Sequence, residues 1–160
     1  MSIVEDGLAE SLSVVWSRLH RDTRLVIPES EIHHLRMLAL TADDDLVSHL
    51  LLRKLRIALI AGSASIPDSL ISLNSFCEFS FDGGPGRFCQ LVRPSPYAPS
   101  YGVSILTLTG AGLIGLSAGQ SILWPNNSGA LRDLHVVRVE NCPGFSDWLG
   151  AAPVKDHVNV

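Results

Sequence analysis

Residues 103–119 read VSILTLTGAGLIGLSAG, an alternating apolar run (Val103 to Leu108) leading into Gly110-Ala111-Gly112-Leu113-Ile114-Gly115. A GxGxxG after a strand suggests a dinucleotide site, so the surroundings of these glycines decide the fold. A dinucleotide-binding unit needs a crossover helix, a second parallel strand and an acidic residue about 20 positions on to hold the ribose. Twenty positions past Gly110 stands Ala130, and the next acids are Asp133 and Glu140. The stretch after the motif is helical only to about Ser117, too short for a crossover, and the chain left over is too short for a doubly wound sheet. The glycines instead suit a short helix packed closely on a sheet, with Gly119 as its C-terminal stop before a strand at Gln120.

The rest of the C-terminal half supports a small sheet. Phe76, Glu78, Phe79 and Phe81 precede Asp82-Gly83-Gly84-Pro85-Gly86, and Phe88, Gln90, Leu91 and Val92 follow, which reads as a β-hairpin. A Pro-rich loop, Arg93 to Ser100, leads to a strand expected over Val103–Leu108. Strands over Gln120–Trp124 and Leu134–Glu140, joined through Asn126-Asn127-Ser128-Gly129, make a second hairpin.

Upstream of Ile66-Pro67 the apolar spacing is helical. Leu8, Leu12, Val15 and Leu19 mark an amphipathic helix over 7–20. Pro28 and Glu29 open a helix to Leu40 in which Ile32, Leu35 and Leu38 share a face. After Thr41-Ala42-Asp43-Asp44-Asp45 a further helix is expected to run to about Ala61, with Leu52, Leu55 and Leu59 at heptad-like spacing and Gly62 as its stop. So short a turn predicts an antiparallel helical hairpin with an acidic tip. Its longer arm, about 17 residues, would span roughly 25 Å.

Composition excludes several classes. The chain has 160 residues, 46% of them apolar and 18% charged, enough to bury a core. A net charge of −4 with dispersed cations argues against a general or sequence-specific nucleic-acid binder. Arg53, Lys54 and Arg56 read as a solvated helix face. Met1 to Glu10 lacks the basic start of a signal peptide, and the greasy stretch Leu50–Ile57 is broken by three cations, so no membrane span and a cytoplasmic location are expected. Cys77, Cys89 and Cys142 are far apart, and the first two lie in apolar strand-like runs as buried thiols do. His33-His34, His49 and His135 have no ligand spacing, so neither a metal nor a cofactor is expected. No nucleophile motif points to an enzyme.

The run Gly102-Val103-Ser104-Ile105, then Gly112-Leu113-Ile114-Gly115-Leu116, then Gly119-Gln120-Ser121-Ile122 resembles the C-terminal domain of the GreA/GreB transcript-cleavage factors. The match is closer to their relatives, the regulators of nucleoside diphosphate kinase (Rnk). Ile66-Pro67-Asp68, Leu73-Asn74-Ser75, Leu91-Val92-Arg93-Pro94 and Leu123-Trp124-Pro125 are further landmarks. The resemblance covers about residues 28–143. It implies an α+β chain: a short antiparallel, coiled-coil-like helical hairpin (28–65) followed by an FKBP-like antiparallel β domain with one short helix (66–143). An extension (1–27) precedes them and a tail (144–160) follows. It also implies a partner, RNA polymerase, met at the rim of the secondary channel with the hairpin pointing inward and no cleavage activity.

Two sets of site residues follow. Asp43, Asp44 and Asp45 lie where the cleavage factors carry acidic tip residues, and Asp43 and Asp44 are the candidates for a Mg²⁺ contact, because hard oxygens suit a hard cation. The same acids fit a bland role, since Thr41 and Asp44 form a T-x-x-D capping pattern at a helix start. Leu106, Thr107, Leu108 and Thr109 occupy the docking segment, where the cleavage factors have an acidic or small residue, then Ser, then Pro. They serve either docking or the core of a strand. An alternative to the polymerase reading is an interaction module of the same fold that has lost docking and self-associates through its N-terminal helix. Peptidyl-prolyl isomerase activity, suggested only by fold analogy, ranks behind both.

Overall fold

The computed structural model describes residues 24–141. The helix expected over 7–20, the tail after Asn141, Cys142 and Trp148 lie outside them. The chain enters through β1 (Val26–Pro28) and turns into α1 (Glu29–Leu40), with Pro28 as N-cap in extended geometry. Residues 41–44 connect to α2 (Asp45–Ile57), and β2 (Leu59–Ala61) follows. One 3-10 turn (Ser63–Ser65) precedes β3 (Phe76–Phe81), β4 (Arg87–Val92) and β5 (Gly102–Ser104). Then come α3 (Leu108–Leu113), β6 (Ser121–Pro125) and β7 (Leu131–Glu140).

The second helix stops at Ile57 rather than Ala61. Ala58 is extended, and Leu59, Ile60 and Ala61 pair in parallel with Val26, Ile27 and Pro28. An apolar run of this length satisfies helix and strand patterns equally. The available partner strand, supplied 33 residues earlier in register, decides it. At 13 residues α2 is about 20 Å long.

The buried stripe of α2 is Val47, Leu50, Leu51, Lys54 and Leu55. That is i, i+3, i+4, i+7, i+8, the spacing of a core-facing helix. Of the residues chosen from the sequence, Leu55 is on this stripe, Leu52 is half-buried and Leu59 is exposed. On α1, Leu35 and Ala39 are buried, with Ile32 and Leu38 packed at the margin. Both helices share one core with the sheet, in which Leu35, Leu51 and Leu55 join Phe79, Leu91, Trp124 and Leu134.

The five-stranded sheet runs β5-β4-β3-β7-β6. It is curled and mixed, not wholly antiparallel: β5 lies parallel to β4 while the other pairs are antiparallel. The register shifts between Glu78 and Phe79, where Val137 is the extra residue of a bulge in β7. Both expected hairpins are present, the second with its long strand starting at Leu131. Together with the three helices this makes an α+β fold.

The segment after α3 threads between two neighbours. Val26 N–H donates to Gly115 O, Gly115 N–H to Ile71 O and Ile71 N–H to Leu116 O. This stitching ties β1, and through it the helix pair, to the sheet.

Candidate functional site

The docking segment is a turn and a helix start, not a strand. β5 ends at Ser104, because Thr107 closes a turn back onto it: Thr107 N–H and Oγ1 both donate to Ser104 O, at 3.0 and 2.7 Å. Thr107 Oγ1 also accepts from Gly110 N–H (3.0 Å) and is the N-cap of α3. A cap requires an acceptor side chain at this position, which Thr provides and Leu does not. Leu106 and Thr107 are half-buried, and Leu108 and Thr109 are buried.

The glycines of the opening motif are explained by close approach. A Cβ on Gly110 would lie 2.0 Å from Ser104 O, and one on Gly112 would lie 2.8 Å from Trp124 Cδ1 and from Leu134 Cδ2. Gly115 has φ +86°, ends α3 just past Ile114, and sits 3.2 Å (to its Cβ position) from Ile27 Cδ1. The helix therefore ends at Leu113, with Gly115 rather than the expected Gly119 just past its cap, and the φ of +88° at Gly119 serves the next turn instead.

Trp124 and Lys54 both hold this helix by its carbonyls. Trp124 Nε1 donates to Leu108 O at 2.6 Å. Lys54 Nζ donates to Ala111 O at 2.9 Å and to Gly112 O at 2.6 Å, and lies 5.0 Å from the centroid of the Trp124 ring. Carbonyls at a helix C-terminus lack intrahelical donors and carry the negative end of the helix dipole, so a buried amine suits them. Lys54 is completely buried, and that burial pushes its amine well below the usual lysine range. It does not belong to the solvated face expected of Arg53, Lys54 and Arg56. Its place on the Val47–Leu50–Leu51–Leu55 stripe was the available signal.

Beside the first turn of α3 lies a cleft of about 320 Å³. Leu108 and Thr109 form one wall, Phe81 and Arg87 of the β3–β4 hairpin another, and Arg132 with the Asn126–Ser128 turn the third. Arg87 and Arg132 place their guanidinium carbons 6.0 and 5.6 Å from the Phe81 ring centroid. Arg132 also pairs with Asp82, whose other oxygen accepts from Asp133 N–H at 2.7 Å. That hydrogen bond first, and the arginine second, lower the Asp82 carboxyl below its ordinary value. Asn126 Oδ1 accepts from Ser128 N–H, Ser128 Oγ and Ala130 N–H, so the rim turn is preformed. Sequence reading found Leu108 and Thr109 but not Phe81, Arg87 or Arg132, which reach the cleft from distant segments.

The acidic turn is elsewhere. Asp43, Asp44 and Asp45 are all exposed. Asp44 is the N-cap of α2, with Oδ1 accepting from Leu46 N–H at 2.9 Å. Thr41 does not take part in that cap; its N–H and Oγ1 donate to Leu38 O and close the end of α1. Ten residues separate Asp44 from Lys54, about 15 Å along the helix axis, so the acids and the cleft are separate features. Among the described residues no three His, Cys, Asp or Glu side chains gather as metal ligands. His33, His34 and His49 are exposed, and His135 Nδ1 is 2.7 Å from Ser121 Oγ. No helix among the described residues is long and apolar enough to cross a membrane.

The fold is similar to that of a solved structure, the prokaryotic transcription elongation factor GreA/GreB from Nitrosomonas europaea. It superposes with a TM-score of 0.58 and 25% identity, over 73% of this chain and 98% of that one. The likeness is thus to a GreA/GreB transcription elongation factor. Gfh1 of Thermus thermophilus also aligns, at 18% identity and a TM-score of 0.39, over 83% of this chain and 94% of that one. No protein-family model and no curated protein matches the sequence. The likeness takes in nearly all of the Nitrosomonas protein.

Proposed function

We propose that the chain is a regulator of transcription that binds RNA polymerase and has no cleavage activity or other enzymatic activity of its own. The observation that carries this reading is the likeness to the GreA/GreB elongation factor across 98% of that protein's length. The C-terminal sheet, an FKBP-like domain in this reading, docks at the rim of the secondary channel. The cleft beside Leu108 and Thr109, with Arg87 and Arg132 at its mouth, is the contact surface; Leu106 and Thr107 set the turn that holds it.

The helix pair then turns Asp43 and Asp45 toward the channel. An α2 of about 20 Å gives a short arm, so obstruction of the channel suits it better than delivery of Mg²⁺. The same shortness favours placement in the Rnk-like group. Such a protein acts in the cytoplasm, where its partner is.

A second reading, an interaction module without polymerase docking, draws on the burial of Leu108 and Thr109 and on the exposed Leu59 and Ile60 at the open edge of β2. Exposed apolar edge strands favour association with further strands.

The deciding experiment is a pull-down of cognate core RNA polymerase by the full chain, competed with a GreA-type factor. Binding that the competitor removes supports the secondary-channel reading. The absence of binding at micromolar concentrations overturns it in favour of the second.

A further inference from the structure

Cys77 and Cys89 face each other across the β3–β4 ladder, directly in register. Their sulfurs are 3.6 Å apart, and both side chains are completely buried. Opposed residues on antiparallel strands have Cα atoms about 4.5–5.5 Å apart. That spacing falls within the roughly 4.4–6.8 Å that a disulfide tolerates. Only rotation about the two Cα–Cβ bonds separates the thiol pair from bonding distance, about 2.05 Å.

We propose that Cys77 and Cys89 are a site of reversible oxidation, forming an intramolecular disulfide across the β3–β4 hairpin. With a small-molecule disulfide RSSR as oxidant, one thiolate attacks a sulfur of RSSR and expels RS⁻. The second cysteine then attacks the protein sulfur of the mixed disulfide and expels the other RS⁻. In sum, two protein thiols and RSSR give one protein disulfide and two RSH: the cysteines are oxidised and the reagent reduced.

The environment makes the reaction selective. The contact with the Cys77 thiol, and burial after it, push the Cys89 thiol well above its ordinary value, so the closed core holds Cys89 protonated. Reaction waits for the hairpin to open, and the neighbouring thiol then outcompetes a second reagent molecule because it is already in place. The ring that closes holds residues 78–88, which include Phe81, Asp82 and Arg87. These are the hairpin's contribution to the cleft wall and its ion pair, so the oxidised chain has that wall tied at its base.

The test uses the full chain without any partner, so its result is independent of polymerase binding. The protein is incubated with hydroxyethyl disulfide, unfolded, alkylated and digested with trypsin. Cleavage after Arg87 separates the peptide with Cys77 from the peptide with Cys89. The expected result is a linked pair of these peptides, alkylation reduced from three cysteines to Cys142 alone, and full reversal by dithiothreitol. The Cys142→Ser variant gives the same linkage. Three alkylated cysteines after prolonged incubation, mixed disulfides that never resolve, or links made only through Cys142 would overturn the proposal.

Discussion

Lys54 Nζ lies 2.9 Å from Ala111 O and 2.6 Å from Gly112 O, joining the second helix to the last turn of the third across 57 and 58 residues of sequence. Lys54→Ala removes the donor from two carbonyls and leaves a cavity beside Trp124. The expected loss is about 2–4 kcal/mol in urea unfolding. Lys54→Met keeps the stem volume and removes the burden of a buried amine, so it is expected to lose only about 1–2 kcal/mol. Equal losses would mean that the hydrogen bonds alone account for the lysine, and an undiminished stability of Lys54→Met would mean that packing alone does.

The same lysine gives the alkaline limb a sign. Its folded pKa is depressed by burial, so between that value and the ordinary value near 10.4 the unfolded chain binds more protons than the folded one. Its contribution is therefore complete above about 10.4 and is lost as pH falls through the folded value. Stability measured from neutral pH to pH 10 is expected to rise more in the wild type than in Lys54→Met. Parallel curves would refute a depressed amine.

Gly110→Ala meets backbone, since its Cβ would sit 2.0 Å from Ser104 O. That contact cannot be relieved without moving the β5–α3 turn, and a loss of about 3 kcal/mol or more is expected. Gly112→Ala meets side-chain atoms of Leu134 and Trp124, and relaxation of Leu134 limits the loss to about 1–3 kcal/mol. Thermal unfolding of the two variants checks the order.

The acidic turn separates its two roles by residue. Asp44→Ala removes the α2 cap and is expected to cost about 1 kcal/mol. Asp43→Ala and Asp45→Ala, both at exposed positions, are expected to stay within about 0.5 kcal/mol of wild type. If the turn acts in the channel, those two variants bind polymerase as before yet regulate it less. Unchanged regulation by both would leave the turn with a capping role only.

On the acid side, Asp82 is held below its ordinary pKa by Asp133 N–H and Arg132. A depressed carboxyl contributes above its unfolded value, near 3.9, and that contribution fades as pH falls through the folded value. Asp82→Asn is expected to reduce the loss of stability between about pH 4 and pH 2. An unaltered acid limb in circular dichroism would assign that loss to other carboxylates.

Much of this fold was legible where one residue pattern permitted one structure. The first helix, both hairpins and the packing role of the motif glycines were of that kind. The misreadings came where tertiary partners chose between equal local options. Ala58 to Ala61 suits helix or strand, and β1 selected strand. Leu106 to Thr109 continues an alternating pattern, but the Thr107 cap and the Ser104 turn end the strand early. Lys54 was misassigned because its charge was weighed above its position on the apolar stripe. Of the cleft's lining, Leu108 and Thr109 lie in the segment singled out on the chain, whereas Phe81, Arg87 and Arg132 meet them only in the folded sheet.

The parallel pairing of Val26–Pro28 with Leu59–Ala61 has a wider consequence. Everything from Glu29 to Ala58 leaves the end of one strand and returns to the start of the strand beside it, on one short two-stranded seam. Whole helical turns could thus be spliced into the tip of the arm while the mooring stays fixed. Arm length and anchorage are independently adjustable, and a lineage could tune how far the acids travel without redesigning the body that carries them.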